Sequence, residues 1–274
     1  MRTPNTEHRT SNAEVRTNSR RSSVHDLPIL WSDANLVAVA KPAGLATIPG
    51  RDESDSVLER LATQLGLPHT GQQDPRLRVV HRLDKDTSGV LLFAKNVDAQ
   101  RHLSHQFQNN TIAKEYLALV CGRPSETEGD IDAPLAPHPT SPKRMTVFKH
   151  GRPAWTLWRV EETFRDFALL RCFPKTGKTH QIRVHLKHAG MPLAVDPLYN
   201  PPKPGTEPGV RLSEFKRDYR PTRGEEERPL IDRLTLHAHR LTFLNLDGSP
   251  VTIEAELPKD FRALLNQLRR HSRR

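Results

Sequence analysis

In the stretch HRLDKDTSG, His81 to Gly89, one carboxylate, Asp84, stands between Arg82 and Lys85 and is followed by the apolar run VLLFA. Nearby cations favour the ionised form of a carboxylate, which a nucleophile or electrostatic stabiliser requires. Thr87-Ser88-Gly89 reads as a tight turn, and loops held by a rigid strand often carry function. The plain alternative is a solvated ion-pair cluster, which contributes little. A second group lies in TGKTHQIRVHLKHAG, Thr176 to Gly190. Its spacing predicts a helix capped by Thr179, with Ile182, Leu186 and Ala189 inward and Gly190 ending it. His180, Gln181 and Arg183 fall in the first turn, with Lys178 just ahead, where free backbone N–H groups and the helix dipole attract anions. A cation there can meet a phosphate or hold a distant carboxylate. A third candidate is Tyr116 in AKEYLALV, directly after Lys114 and Glu115. An aromatic in a strand is ordinarily core, but a ring at a strand edge beside basic residues can stack on a base. His180, His185 and His188, or His237 and His239, invite a zinc reading. No cysteine or acid completes either set at ligand spacing, so no metal is expected.

These residues must be positioned by the elements around them. The chain has 274 residues, 35% of them apolar, enough for one sizeable core. With Lys+Arg 42 against Asp+Glu 32, the net charge of +10 favours a polyanionic partner. Cys121 and Cys172 sit in apolar stretches and read as reduced core thiols of a cytoplasmic protein. No run reaches a membrane span and no secretion signal is legible. Residues 1–26 lack Leu, Ile, Phe, Trp and Tyr and read as a disordered basic tail. SVLERLATQLG predicts a helix with Ser56 and Glu59 as a capping box and Gly66 as its stop. LPILWSDANLVAVAKPAG, RLRVV, GVLLFAKN, KEYLALVCG, AWTLWRVEETF, FALLRCF, RLTLHAHRLTF and VTIEAEL read as strands, with a helix around AQRHLSHQF. So many strands with few helices between them predict a mixed α/β (α+β) fold on a largely antiparallel sheet. Residues 201–229 carry six prolines, seven Lys/Arg and six Asp/Glu, predicting a charged, partly ordered surface insert. The end, PKDFRALLNQLRRHSRR, predicts a helix with Phe261, Leu264, Leu265 and Leu268 inward. Its last 13 residues, 262–274, hold five arginines and no acid, which suits a helix C-terminus and leaves RNA contact open.

HRLDKDTSG resembles the HRLDxxTSG signature of the RluA-type RNA pseudouridine synthases. The similarity continues in order through VAVAKPAGLATIPG, KEYLALVCG, SPKRMTVFKHGRPAWT, TGKTHQIRVHLKHAGMPLAVDPLY and LHAHRLTF, over residues 27 to 260. The resemblance implies a catalytic domain over 27–274 that isomerises uridine in ribosomal or transfer RNA to its C-glycoside, without cofactor or metal. It implies that Asp84 is essential to glycosidic cleavage, at C1′ or on the C2′ proton. Tyr116 would stack on the target base and assist late proton removal, and Arg183 would pair with Asp84. Arg82 would fill the space left by the flipped nucleotide. His81, Thr87, Lys178, His180 and Gln181 are the accompanying candidates for RNA contact. Residues 1–26 are too short for the S4 RNA-binding domain of some members, so recognition is expected to rest on the catalytic domain, its insert and the basic ends. Members usually have Gly-Asp where this chain has Val195-Asp196, and often Gly at Asn200. A monomer is the expected state. The rival is a non-catalytic ribosome-assembly factor on the same scaffold, which predicts loss of Asp84, Tyr116 or Arg183.

Overall fold

The computed structural model describes residues 26–50, 55–69, 71–73, 76–216, 218–220 and 226–272. The basic N-terminal stretch lies outside them, apart from Asp26. Strands β1 (Ile29–Ser32) and β2 (Leu36–Lys41) precede helix α1 (Val57–Leu65). Next come β3 (Arg78–Val79), β4 (Ser88–Ala94), α2 (Val97–Gln108) and β5 (Ala113–Cys121). β6 (Glu128–Asp132), β7 (Leu135–His138), β8 (Ser141–Val147), β9 (Trp155–Thr163) and β10 (Phe167–Pro174) lead to α3 (Gln181–His188). After a 3-10 turn at Leu212–Glu214 come β11 (Leu236–Leu244), β12 (Pro250–Glu254) and α4 (Lys259–His271).

Ten strands form one sheet along the path β1-β2-β4-β11-β5-β10-β9-β6, with β3 on β4 and β12 on β11; β7 and β8 pair separately. The named ladders are antiparallel except β4 with β11, which meet in parallel through only His237↔Ser88 and Ala238↔Gly89. The mixed, largely antiparallel architecture expected from the sequence is therefore present. That short seam joins two half-sheets, each covered on both faces. β2 and β4 alternate residues between α1 (Val37, Val39, Leu91 and Phe93 with Val57 and Leu61) and α2 (Ala38, Val90 and Leu92 with Ala99 and Leu103). β5 and β10 do the same between α3 (Ala118, Leu170 and Cys172 with Ile182 and Leu186) and α4 (Leu117, Leu119 and Leu169 with Phe261 and Leu265). Strands covered on both sides need apolar residues at every position, which is why SGVLLFA is buried throughout.

Local signals explain most boundaries. Ser56 Oγ accepts from Glu59 N–H at 3.2 Å to open α1, and Gly66, at φ 65°, closes it in the left-handed region. Asn96 caps α2 by accepting from Ala99 N–H. In α4 the four expected apolar residues are buried. Other expectations are corrected. Thr179 does not cap α3: the cap position is His180, at φ 55°, and Gln181 Oε1 takes the Lys178 N–H at 2.9 Å. Ala189 lies past the helix and is exposed, whereas Gln181 through Leu186 are all buried, because α3 is covered by the sheet on one side and by β8 and the 196–200 turn on the other. Tyr116 lies on a central strand, not an edge. The turn after Asp84 closes at Thr87 (Thr87 N–H to Asp84 O, 3.1 Å), and Ser88 and Gly89 already belong to β4. Within the charged insert, Val210 and Phe215 are buried against α4, so part of it is core. β6, β7 and β8 were not legible as strands. No helix among the described residues is long and apolar enough to cross a membrane.

Candidate active site

An open cleft of about 550 Å³ lies on the face that carries α1 and α3. Tyr116 is at its floor, packed against both hydrophobic clusters that meet there. Asp84 comes from the loop just before β4, whose shape is set by Lys41. That ammonium, 2% exposed, donates to Pro42 O (2.9 Å), Lys85 O (2.7 Å) and Thr87 O (2.8 Å). Three donors on three carbonyls, two of them in the turn just after Asp84, fix the loop without touching the carboxylate. Thr47 adds a second tie, accepting from Leu83 N–H and donating to Leu83 O.

Arg183 reaches Asp84 from α3, 99 residues away in sequence, with Nη1 at 3.2 Å from Oδ2. Its shorter contacts go elsewhere: Nε and Nη2 each donate at 2.8 Å to the two oxygens of Asp196. Arg183 is 4% exposed and Asp196 1%, so the guanidinium fork is anchored in the interior by one carboxylate and offers its remaining edge to the other. Hydrogen bonds and the charges of Asp196 and Asp84 outweigh burial and hold Arg183 above its usual range. Asp196 also accepts from Leu198 N–H (2.9 Å) and Tyr199 N–H (3.1 Å), which ties the 196–200 turn to the same centre. Val195 is buried against the α4 cluster, and Asn200 donates to Leu193 O, so the two positions that depart from the family pattern close this turn by their own contacts.

Every candidate named from the sequence lines or borders this cleft, in different ways. Arg82 is exposed at its mouth. His81 is held in the wall: Nε2 accepts from Leu92 N–H at 3.0 Å and the ring stacks on Phe107 at 4.6 Å. Burial, aided by Lys114, pushes its pKa down to about 3, so it presents no cation. Gln181 is committed to the scaffold, donating to Trp155 O and Thr156 Oγ1 and accepting from Thr176 Oγ1. Lys178 is half-buried beside Lys114, which sequence reasoning did not single out. Lys114 donates to Thr176 O at 3.2 Å, and burial together with the Lys178 charge lowers its pKa to about 8. Burial, reinforced by the Asp84 charge, raises the Tyr116 hydroxyl well above its normal range. Asp196, Lys41, Lys114 and Tyr199 were the omissions. VDPLY offered no signal that a buried arginine needs a second carboxylate.

Two histidines of the zinc pattern have both ring nitrogens taken up by the scaffold. His185 meets Thr156 Oγ1 (2.9 Å) and Ala133 O (2.9 Å); His237 meets Ser88 Oγ (2.9 Å) and Ala255 O (3.1 Å). Among the described residues no three His, Cys, Asp or Glu side chains converge.

Comparison with known proteins fits this geometry. Residues 35–188 match the family model described as RNA pseudouridylate synthase. The chain is 39% identical over 256 residues to ribosomal large subunit pseudouridine synthase D of Nitrosomonas europaea, covering 92% of this chain and 68% of that one. It is 36% identical over 248 residues to the uncharacterized RNA pseudouridine synthase YlyB of Bacillus subtilis, covering 90% and 74%. Among solved structures, human RNA pseudouridylate synthase domain containing 4 superposes with a TM-score of 0.67 at 27% identity, over 88% of this chain and 93% of that one. An RNA-modifying family whose fold, sequence signature and cleft coincide leaves one conclusion: the chain belongs to the RluA-type RNA pseudouridine synthases and is an isomerase acting on RNA.

Proposed function

We propose that the chain isomerises uridine in ribosomal RNA, with Asp84 as the group that acts on the ribose. The observation that carries this reading is a carboxylate fixed by Arg183 at 3.2 Å in a cleft floored by an aromatic ring. Chemistry on a nucleoside inside a stem needs the nucleotide flipped out and its base held by shape and stacking. Tyr116 supplies the stacking platform. Its raised pKa keeps the hydroxyl protonated in the free protein, where it serves as a packing and hydrogen-bonding group. In the reaction the N1–C1′ bond breaks, the base turns while held, C5 bonds to C1′, the C5 proton leaves and N1 takes up a proton. Asp84, at C1′ or at the C2′ proton, starts this sequence. Lys114 and Lys178 face the phosphates around the flipped nucleotide, and Arg82 fills the space that nucleotide leaves. The choice of ribosomal RNA is supported by the names of similar proteins from Nitrosomonas, Xanthomonas and Escherichia, each a ribosomal large subunit pseudouridine synthase. The setting is the cytoplasm, where the free thiols Cys121 and Cys172 stay reduced. The chain acts as a monomer. A non-catalytic assembly factor is disfavoured, because Asp84, Tyr116 and Arg183 share one cleft.

Tritium release from C5-tritiated transcripts tests this. Wild type is expected to release tritium from ribosomal but not transfer RNA, and Asp84→Asn from neither. Release from transfer RNA alone would overturn the substrate assignment; release by Asp84→Asn would overturn the role of Asp84.

A further inference from the structure

The 196–200 turn does more than anchor Arg183. Tyr199 Oη accepts from Met145 N–H of β8 at 2.8 Å and lies 2.8 Å from His180 Nδ1. A backbone N–H can only donate, which leaves the phenolic proton available to the imidazole, with Nδ1 as its acceptor. A neutral imidazole carries one proton, which this contact places on Nε2. His180 Nε2 lies 3.7 Å from Asp84 Oδ2, the same oxygen that Arg183 Nη1 contacts. That separation exceeds a hydrogen bond, but hydrogen bonds in unliganded sites often shorten once substrate is bound. His180 also holds a left-handed φ of 55°, a conformation that strains a non-glycine residue and persists only where its surroundings enforce it. Burial lowers its pKa, with the Arg183 charge adding to that shift and the Asp84 charge opposing it, which favours the neutral ring. Tyr199 is itself fixed, with its N–H on Asp196 and its ring 5.1 Å from the Arg183 guanidinium carbon.

We infer that Tyr199 and His180 form a positioning relay, in which Tyr199 fixes His180 as its Nε2–H tautomer and aims that N–H at Oδ2 of Asp84. One turn then sets both donors on Asp84: Arg183 through Asp196, and His180 through Tyr199. With both aimed at Oδ2, Oδ1 is the oxygen presented to the ribose. This rests on the reading of Asp84 as the reacting carboxylate. His180, named from the sequence for RNA contact, thereby acts on the carboxylate instead.

The first measurement is the side-chain nitrogen spectrum of the full chain labelled at histidine, with His180 assigned by its loss in His180→Gln. The expected result is a neutral Nε2–H tautomer for His180 between about pH 6 and about pH 8, giving way to a tautomer mixture in Tyr199→Phe. A wild-type Nδ1–H tautomer or an imidazolium overturns the relay, whatever the activity. The second measurement is single-turnover tritium release beside RNA affinity. Tyr199→Phe and His180→Ala are expected to slow release by about ten- to a hundredfold with RNA affinity unchanged. His180→Gln, which returns an N–H near the Nε2 position, is expected to recover most of the rate. Equal losses in Gln and Ala overturn the donor role and leave His180 a structural residue. Failure of wild type to release tritium from ribosomal RNA would count against the proposed substrate, while the tautomer spectrum still decides the relay.

Discussion

Arg183 faces two carboxylates with unequal grips, and the inequality separates folding from chemistry. Its pair with Asp196 is buried and bidentate, so Arg183→Ala leaves a carboxylate of 1% exposure without its cation. Breaking such a pair destabilises by about 3 kcal/mol or more, and a lowered thermal midpoint should show it. Asp84, held by one nitrogen and 28% exposed, is different. Asp84→Asn preserves shape and leaves the Asp196 pair intact, so stability should change by no more than about 1 kcal/mol. Tritium release should nevertheless fall by about a thousandfold or more, since an amide cannot act on the ribose. Loss of RNA affinity in Asp84→Asn would contradict this division. Lys41 belongs with the folding group. Lys41→Met fills the space but leaves Pro42 O, Lys85 O and Thr87 O without their donor, for about 2 kcal/mol of destabilisation. Activity should fall more than stability, because the loop that aims Asp84 loosens.

The elements converge on a seam two residue pairs long. Gly89, at φ 122°, faces Ala238 so closely that an added Cβ would stand 2.1 Å from Ala238 O. Both backbone strain and contact therefore oppose any side chain there, and Gly89→Ala should separate β4 from β11. The expected outcome is loss of cooperative unfolding or of soluble protein; a normal melt would mean the halves are held by other contacts. The glycine was plain in HRLDKDTSG, but its reason was not, since the contact is with a strand about 150 residues later in the chain. The same holds across the site. Caps and apolar periodicity are local, so α1 and the buried face of α4 could be read directly. Asp84 and Arg183 meet across 99 residues, and only the family resemblance joined them. The strands β7 and β8 escaped notice because Pro137 and Pro142 interrupt them and most of their residues are only half-buried, which erases the alternation that marks a strand. Asp196 escaped because a buried cation's second partner leaves no periodic trace.

Across the whole molecule, a net charge of +10 says less about RNA than where its cations are free to act. Much of the arginine is paired within the scaffold: Arg171 with Glu115 and Glu161, Arg240 with Glu115 and Glu254, Arg233 with Asp260, and Arg269 with Glu162. The arginine-rich C-terminal end is thus partly tied to β9. Arg82, Lys114 and Lys178 line the cleft. If these three carry the electrostatic contacts, the logarithm of RNA affinity should fall with the logarithm of salt at a slope of about −2. Lys114→Met should flatten that slope by about 0.7. Lys114 also supplies a pH signature, with its pKa near 8 in the free protein. Phosphate binding favours its charged form, so RNA binding draws in a proton above that value and affinity must fall as pH rises from about 7 to about 9. The opposite trend would require a group that loses a proton on binding. Fluorescence anisotropy with a labelled stem-loop, across salt and pH, reads both quantities. Lys114→Met should lose the pH dependence and the increment of slope together; losing only one would show that the charge and the phosphate contact reside in different residues.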